Sequence, residues 1–172
     1  MTPLTRVMAA VFVMSCGGAA AEHPLTIPLG IDRTAADAQL QTHKYCHKVD
    51  GPRPAVETYP RCDRAGMEWG ESWVQATYDD KQKLVELRRY ERINDDTRAT
   101  ERWNQLIADR AKTGQMSDEA NAALRAKLLE PGTRSMKAFR IDNDTVVGVY
   151  LLTPQPPTEA NILEAVIHIP KS

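Results

Sequence analysis

Hydrophobic and polar residues alternate over residues 72–78, with Val74, Ala76 and Tyr78 on one side and Trp73, Gln75 and Thr77 on the other. That is the period of a half-buried strand. The polar turn Asp79-Asp80-Lys81-Gln82 leads into residues 83–93, where Val85, Leu87 and Arg89 alternate with Leu84, Glu86, Arg88 and Tyr90. The two segments predict a β-hairpin; the alternative for the second is a helix, because KLVELRRYERI is rich in helix formers and has no glycine. Next, Asp95 or Asp96 caps a predicted helix that places Ala99, Trp103, Leu106, Ile107 and Ala111 on one face and ends at Gly114. Ser117 caps another, with Asp118 and Glu119 in its first turn, the face Ala120, Ala123, Leu124 and Leu128, and a stop at Pro131-Gly132.

A second hairpin follows from residues 138–142, the turn Asp142-Asn143-Asp144 and residues 145–152. The near-continuous apolar run over 146–152 marks a strand covered on both sides. After Pro154, Pro156 and Pro157, Thr158 is positioned to cap a final helix carrying Ile162, Leu163, Val166 and Ile167. Strand pair, helix pair, strand pair and helix together predict an α+β fold, an antiparallel sheet of two β-hairpins with helices packed on one face, over residues 69–170.

The N-terminal part reads differently. Arg6 precedes an apolar run over 7–14, followed by Ser15-Cys16-Gly17-Gly18. The run has the size of a secretory h-region, about 7–15 residues, and falls short of the roughly 20 needed to span a bilayer. Export through a leader within residues 1–21 is the expectation. Val13-Met14-Ser15-Cys16 resembles the lipobox of bacterial lipoproteins. This resemblance implies cleavage before Cys16, a diacylglyceryl anchor on its sulfur and, with Gly17 next, outer-membrane residence. Cleavage after the small-x-small sequence Ala19-Ala20-Ala21 is the alternative, and it would release a soluble periplasmic or secreted protein. Residues 17–35, with Pro24, Pro28 and several alanines, read as a flexible tether. A short helix over 35–47 is expected with Ala36, Leu40 and Lys44 on one face and Asp32 or Thr34 as its cap.

Three cysteines, Cys16, Cys46 and Cys62, leave one pair once Cys16 is lipidated or removed. An oxidising compartment favours a Cys46–Cys62 disulfide closing the proline-rich loop region 36–68. The competing reading is a metal or redox site formed by His43, Cys46, His47 and Cys62, which are ligand types that zinc accepts. The spacing lacks a paired C-x-x-C, and HKYCH puts histidine where haem attachment needs its first cysteine. No metal or cofactor is therefore expected.

The chain has 172 residues with 22 Lys+Arg against 23 Asp+Glu, a formal net charge of −1, and loss of Arg6 with the leader makes it one unit more negative. Nothing in that balance suggests a nucleic-acid partner. Asp142-Asn143-Asp144 opens like a calcium loop, but Val146, Val147 and Thr153 occupy later ligand and glycine positions. The serines lack a G-x-S-x-G setting, and the pairs Asp79-Asp80 and Asp95-Asp96 stand at turn and cap positions. The chain therefore does not read as an enzyme. Lys81, Lys83, Arg88, Arg89 and Arg92, interleaved with Glu86 and Glu91, read as a solvated strand face. Trp69, Trp73 and Tyr78, with Tyr59, could form an exposed patch for a protein partner. The combined expectation is a non-enzymatic envelope lipoprotein, held at the membrane by its lipid, acting as a protein-binding or adaptor module.

Overall fold

A computed structural model describes residues 24–46, 49–50, 55–62, 72–156 and 158–170. The expected leader, Cys16, His47 and Trp69 lie outside the described residues. Among the described residues eight strands form one antiparallel sheet: β1 (Val49–Asp50), β2 (Val56–Pro60), β3 (Ser72–Tyr78), β4 (Leu84–Glu91), β5 (Gln115–Met116), β6 (Thr133–Arg140), β7 (Thr145–Leu152) and β8 (Ile162–His168). Their spatial order is β1-β2-β3-β4-β8-β7-β6-β5. The expected α+β class, an antiparallel sheet with helices against it, is what the chain adopts.

Turn chemistry fixes both hairpins. Asp79 accepts bonds from the backbone N–H groups of Lys81 (2.9 Å) and Lys83 (2.8 Å), closing β3 onto β4. Gln82 sits there at φ 60°, a left-handed position taken without glycine. Asp142 does the same for β6–β7, accepting from the Asp144 N–H at 2.8 Å. This is the hairpin turn that the calcium-like residues DND make.

The expected final helix is instead the strand β8, and it joins the two hairpins. It pairs with β4 through Leu87↔Val166 and Arg89↔Glu164, and with β7 through Val147↔Val166 and Val149↔Glu164. Both of its faces are buried: Leu163, Ala165 and Ile167 enter one apolar cluster, while Ile162 and Val166 enter the clusters of the other face. A strand covered on both sides is apolar at odd and even positions alike, so its sequence loses the period of two and mimics a buried helix.

Three helices flank the sheet. They are α1 (Arg33–Thr42), α2 (Asp96–Arg110) and α3 (Asp118–Lys127). Asp95 caps α2 by accepting from the Arg98 N–H at 2.7 Å, and Ser117 caps α3 by accepting from the Ala120 N–H at 3.0 Å. The helices divide between the two faces instead of sharing one. Ala36 and Leu40 of α1 pack with Val74, Leu87 and Val166, and Ala99 and Leu106 of α2 pack with Val149 and Ile162, all on one face. Ala120 and Leu124 of α3 pack with Ala138, Tyr150 and Leu163 on the other. Alternation along β7 requires this split, because Val149 and Tyr150 are successive residues pointing to opposite sides.

The folded body also begins earlier than residue 36. Leu25 and Ile27 are buried, and residues 30–33 run beside the start of β4 through Gly30 N–H to Leu84 O (2.7 Å) and Leu84 N–H to Ile31 O (2.9 Å). Residues 24–35, expected as tether, therefore strap the core, with Gly30 at φ 85° allowing the turn. The segment expected as a loop contributes β2, every residue of which is buried. Lys44, expected on the face of the first helix, lies beyond its end at φ 66°.

Candidate functional site: an ionic row and an aliphatic groove

The apolar packing on the α1/α2 face falls into two clusters, one under each helix. Between them lies a row of alternating charges. Arg89 and Glu164 are directly opposed on β4 and β8, flanked in register by Val74 and Val149. Arg89 Nε is 3.3 Å from Glu164 Oε2, and its Nη2 contacts Glu91. Arg102 of α2 engages Glu91 through Nε (3.0 Å) and Nη2 (2.9 Å). Arg110, in the last turn of α2, engages Glu164 through Nε and Nη2, both at 3.1 Å.

The row thus reads Arg102, Glu91, Arg89, Glu164, Arg110. The Glu164 side chain is fully buried and that of Arg89 is 7% exposed. Burial pushes the Arg89 guanidinium below its ordinary value, Glu164 opposes the shift, and Arg102 and Arg110 add to it. An arginine remains charged through such a shift. Removing two such ions from water costs several kcal/mol each, and the row is sustained because every carboxylate meets two guanidinium groups.

At the Arg110 end the row opens into a groove of about 1090 Å³. Leu25, Ile27 and Leu29 of the N-terminal strap and Val147 and Val166 of β7 and β8 line it on the α1/α2 face, and Ile167, on the opposite face, lines it where it reaches round the end of the sheet. Lys83, Arg110 and Lys127 bring positive charge to the lining and Asp79, Glu86, Asp142 and Asp144 negative charge, and no Phe, Tyr or Trp lines it.

Two further polar clusters flank the sheet, and the second shares Glu86 with the lining of the groove. Under α1, the buried Tyr59 hydroxyl donates to Glu57 Oε2 at 2.5 Å and lies 3.2 Å from the Tyr78 hydroxyl, while Arg33 pairs with Glu57. Burial raises both phenols above the usual tyrosine range. On the opposite face Arg88 pairs with Glu86 and, at 3.4 Å, with Glu130. Burial outweighs Arg88 and raises the Glu130 carboxyl, and the neighbouring Tyr90 is pushed up to about 12, chiefly by burial. Arg33 matches Glu57 in the first cluster, whereas in the second the single guanidinium of Arg88 faces the two carboxyl groups of Glu86 and Glu130.

The expected site residues fare unevenly. Cys46 and Cys62 form the disulfide, with their Cα atoms 5.6 Å apart. It ties the loop after α1 to the residue following the β2 edge, alongside the bond from Cys46 N–H to Pro60 O (3.0 Å) and the one from Cys62 N–H to Lys44 O (3.0 Å). With both sulfurs joined, neither offers a thiolate to the ligand set proposed with His43, which stands at the C-cap of α1. Among the described residues no group of three or more His, Cys, Asp or Glu is placed to hold a metal ion.

Of the expected aromatic patch, Trp73 and Tyr78 are buried. Trp73 is 4% exposed and stacks on Tyr90 with centroids 5.3 Å apart, and Tyr78 is 3% exposed beneath α1. Their faces meet the core because β3 is covered on both sides. The solvated strand face is likewise corrected: Arg89 is buried, and Arg88 and Glu91 are largely so, because β4 is an interior strand with β8 beside it. Of the row, Glu164, Arg102 and Arg110 carry no expectation from the sequence, and Glu164 alone has a signal there. Its signal in the sequence is a lone charge in the otherwise apolar run 162–167, which demands a buried partner.

No protein-family model, curated protein or solved structure matches this chain. No described helix is long and apolar enough to cross a membrane.

Proposed function

We propose that the protein is an exported, non-enzymatic binding module of the cell envelope, tethered by lipid on Cys16, whose ligand site is the groove at the Arg110 end of the ionic row. The observation that carries export is the Cys46–Cys62 disulfide, a bond that persists in oxidising compartments and is rare in the reducing cytosol. It agrees with the leader-like run before Cys16. Support for binding comes from the groove, a concavity whose lining mixes aliphatic side chains with charged ones of both signs, Lys83, Arg110 and Lys127 among them. The charged side chains of the row face one another across salt bridges, an arrangement suited to holding a site rigid.

The test is the intact mass of the protein recovered from its native cells, fractionated and alkylated without reduction. An acylated Cys16 terminus with Cys46 and Cys62 unalkylated is expected in the membrane fraction. A terminus at Glu22 would replace the anchored module by a soluble exported one. An unprocessed chain with alkylated Cys46 and Cys62 would overturn export itself.

A further inference from the structure

We propose that the outward face of α3 is a dimer interface, on which a second copy of this chain packs its own α3 antiparallel. The proposal goes beyond the binding-module reading and does not depend on the groove. The buried residues of α3 are Ala120 and Leu124. Successive helical residues turn by about 100°, so Ala122 stands almost opposite the middle of that pair, with Ala126 beside it one turn further on. Both alanines are exposed. Beyond the helix, Leu128 at the extended C-cap turns into the core, so Leu129 points away from it. At 83% exposed, Leu129 is the most open large hydrophobic side chain among the described residues. The alanines let two helix axes approach closely, and Leu129 adds apolar area at one end.

Charge selects the occupant. Asp118 and Arg125 lie on the same flank of this face, about two turns apart. Both are exposed, and neither forms a salt bridge among the described residues. On the other flank Glu119 lies 3.8 Å from Arg140, so its charge is met within the chain. Lys127 turns to the opposite side of the helix and lines the groove. The face therefore presents an acid, an alanine and a base in that order, a pattern complementary to its own reverse. A two-fold axis level with Ala122 sets Asp118 of each copy against Arg125 of the other, because a flank maps onto itself in an antiparallel pair. The ion pair then forms twice, the helix dipoles oppose, and each Leu129 reaches the first turn of the other α3. A parallel copy would instead set Asp118 against Asp118 and Arg125 against Arg125.

Sedimentation equilibrium of the oxidised chain beginning at Glu22, which holds every described residue, tests this. A monomer–dimer equilibrium with a dissociation constant of about 100 µM is expected, the weak affinity of an interface at the small end of the range. Leu129→Asp should raise that constant about tenfold or more. Met116→Asp changes an exposed apolar side chain on the other side of the sheet, beside Phe139, and should leave it unchanged. Asp118→Arg and Arg125→Asp should each stay monomeric, since either sets like charges together twice. Mixed in equal amounts, those two variants should form a heterodimer about as tight as the parent, because both cross-pairs are then complementary. Damage to α3 alone would not be rescued by mixing. A monomer up to about 1 mM, which would leave α3 to a different protein, would overturn the proposal. So would a dimer indifferent to Leu129→Asp, or a mixture no more associated than its components.

Discussion

Glu164 shows how much a single side chain depends on its neighbours. Its carboxylate is fully buried between Arg89 and Arg110, so Glu164→Gln leaves two guanidinium groups in the interior facing a neutral amide. Removing one partner of a buried ion pair costs about 3–5 kcal/mol. Urea denaturation of Glu164→Gln should show a loss of that order; a loss below about 1 kcal/mol would mean that water reaches the row and screens it. Part of this was legible in the sequence, since a glutamate inside ILEAVI contradicts its surroundings. Its partners were not. Arg89 and Arg110 lie on two different elements, and interleaved charge on β4 reads as a wet surface until β8 is known to lie beside it.

Among the elements, the helices with strong caps were the most readable. Asp95 and Ser117 start α2 and α3 where their side chains indicate, because a cap is a local bond between residues three apart. The hairpins were readable for a similar reason, as their turns are closed by Asp79 and Asp142 within a few residues. β8 was not, because a doubly covered strand acquires its identity from its neighbours and has no period of its own. The contact of α3 with β7 gives a prediction at this scale. A methyl group on Gly148 would meet Leu124 Cδ2 and, at 2.8 Å, Tyr150 Cε2, and both side chains are buried. Gly148→Ala should therefore lose about 1–3 kcal/mol from overpacking, which outweighs the roughly 0.4–1 kcal/mol gained from a less flexible unfolded chain. Equilibrium denaturation decides the sign, and a stabilised variant would show that α3 moves away freely.

For the molecule as a whole, the sequence conveyed the class but not the extent of the fold. The strap at Leu25 and Ile27 looked like a tether because three or four apolar residues among prolines show no periodicity, although the sheet gives them something to cover. The disulfide fastens the other part of this N-terminal region, tying the loop after α1 to the residues just beyond β2 across a sequence separation of 16. In the chain-entropy model a loop of this size contributes about 3 kcal/mol. Cys46→Ser should then melt roughly 6–12 °C lower under oxidising conditions. Reductant should bring the parent down to the same temperature; an equal gap in both conditions would show that the serine disturbs packing and that the crosslink contributes nothing. The place of β8 has a different consequence. β3–β4 and β6–β7 are each complete as hairpins, but β4 and β7 present open edges to each other until the strand made after both of them fills the gap. A nascent chain therefore cannot close its sheet until its last strand is made, and a copy truncated ahead of Ile162 would display two unsatisfied strand edges, a mark by which proteases and holdases distinguish failed chains from finished ones.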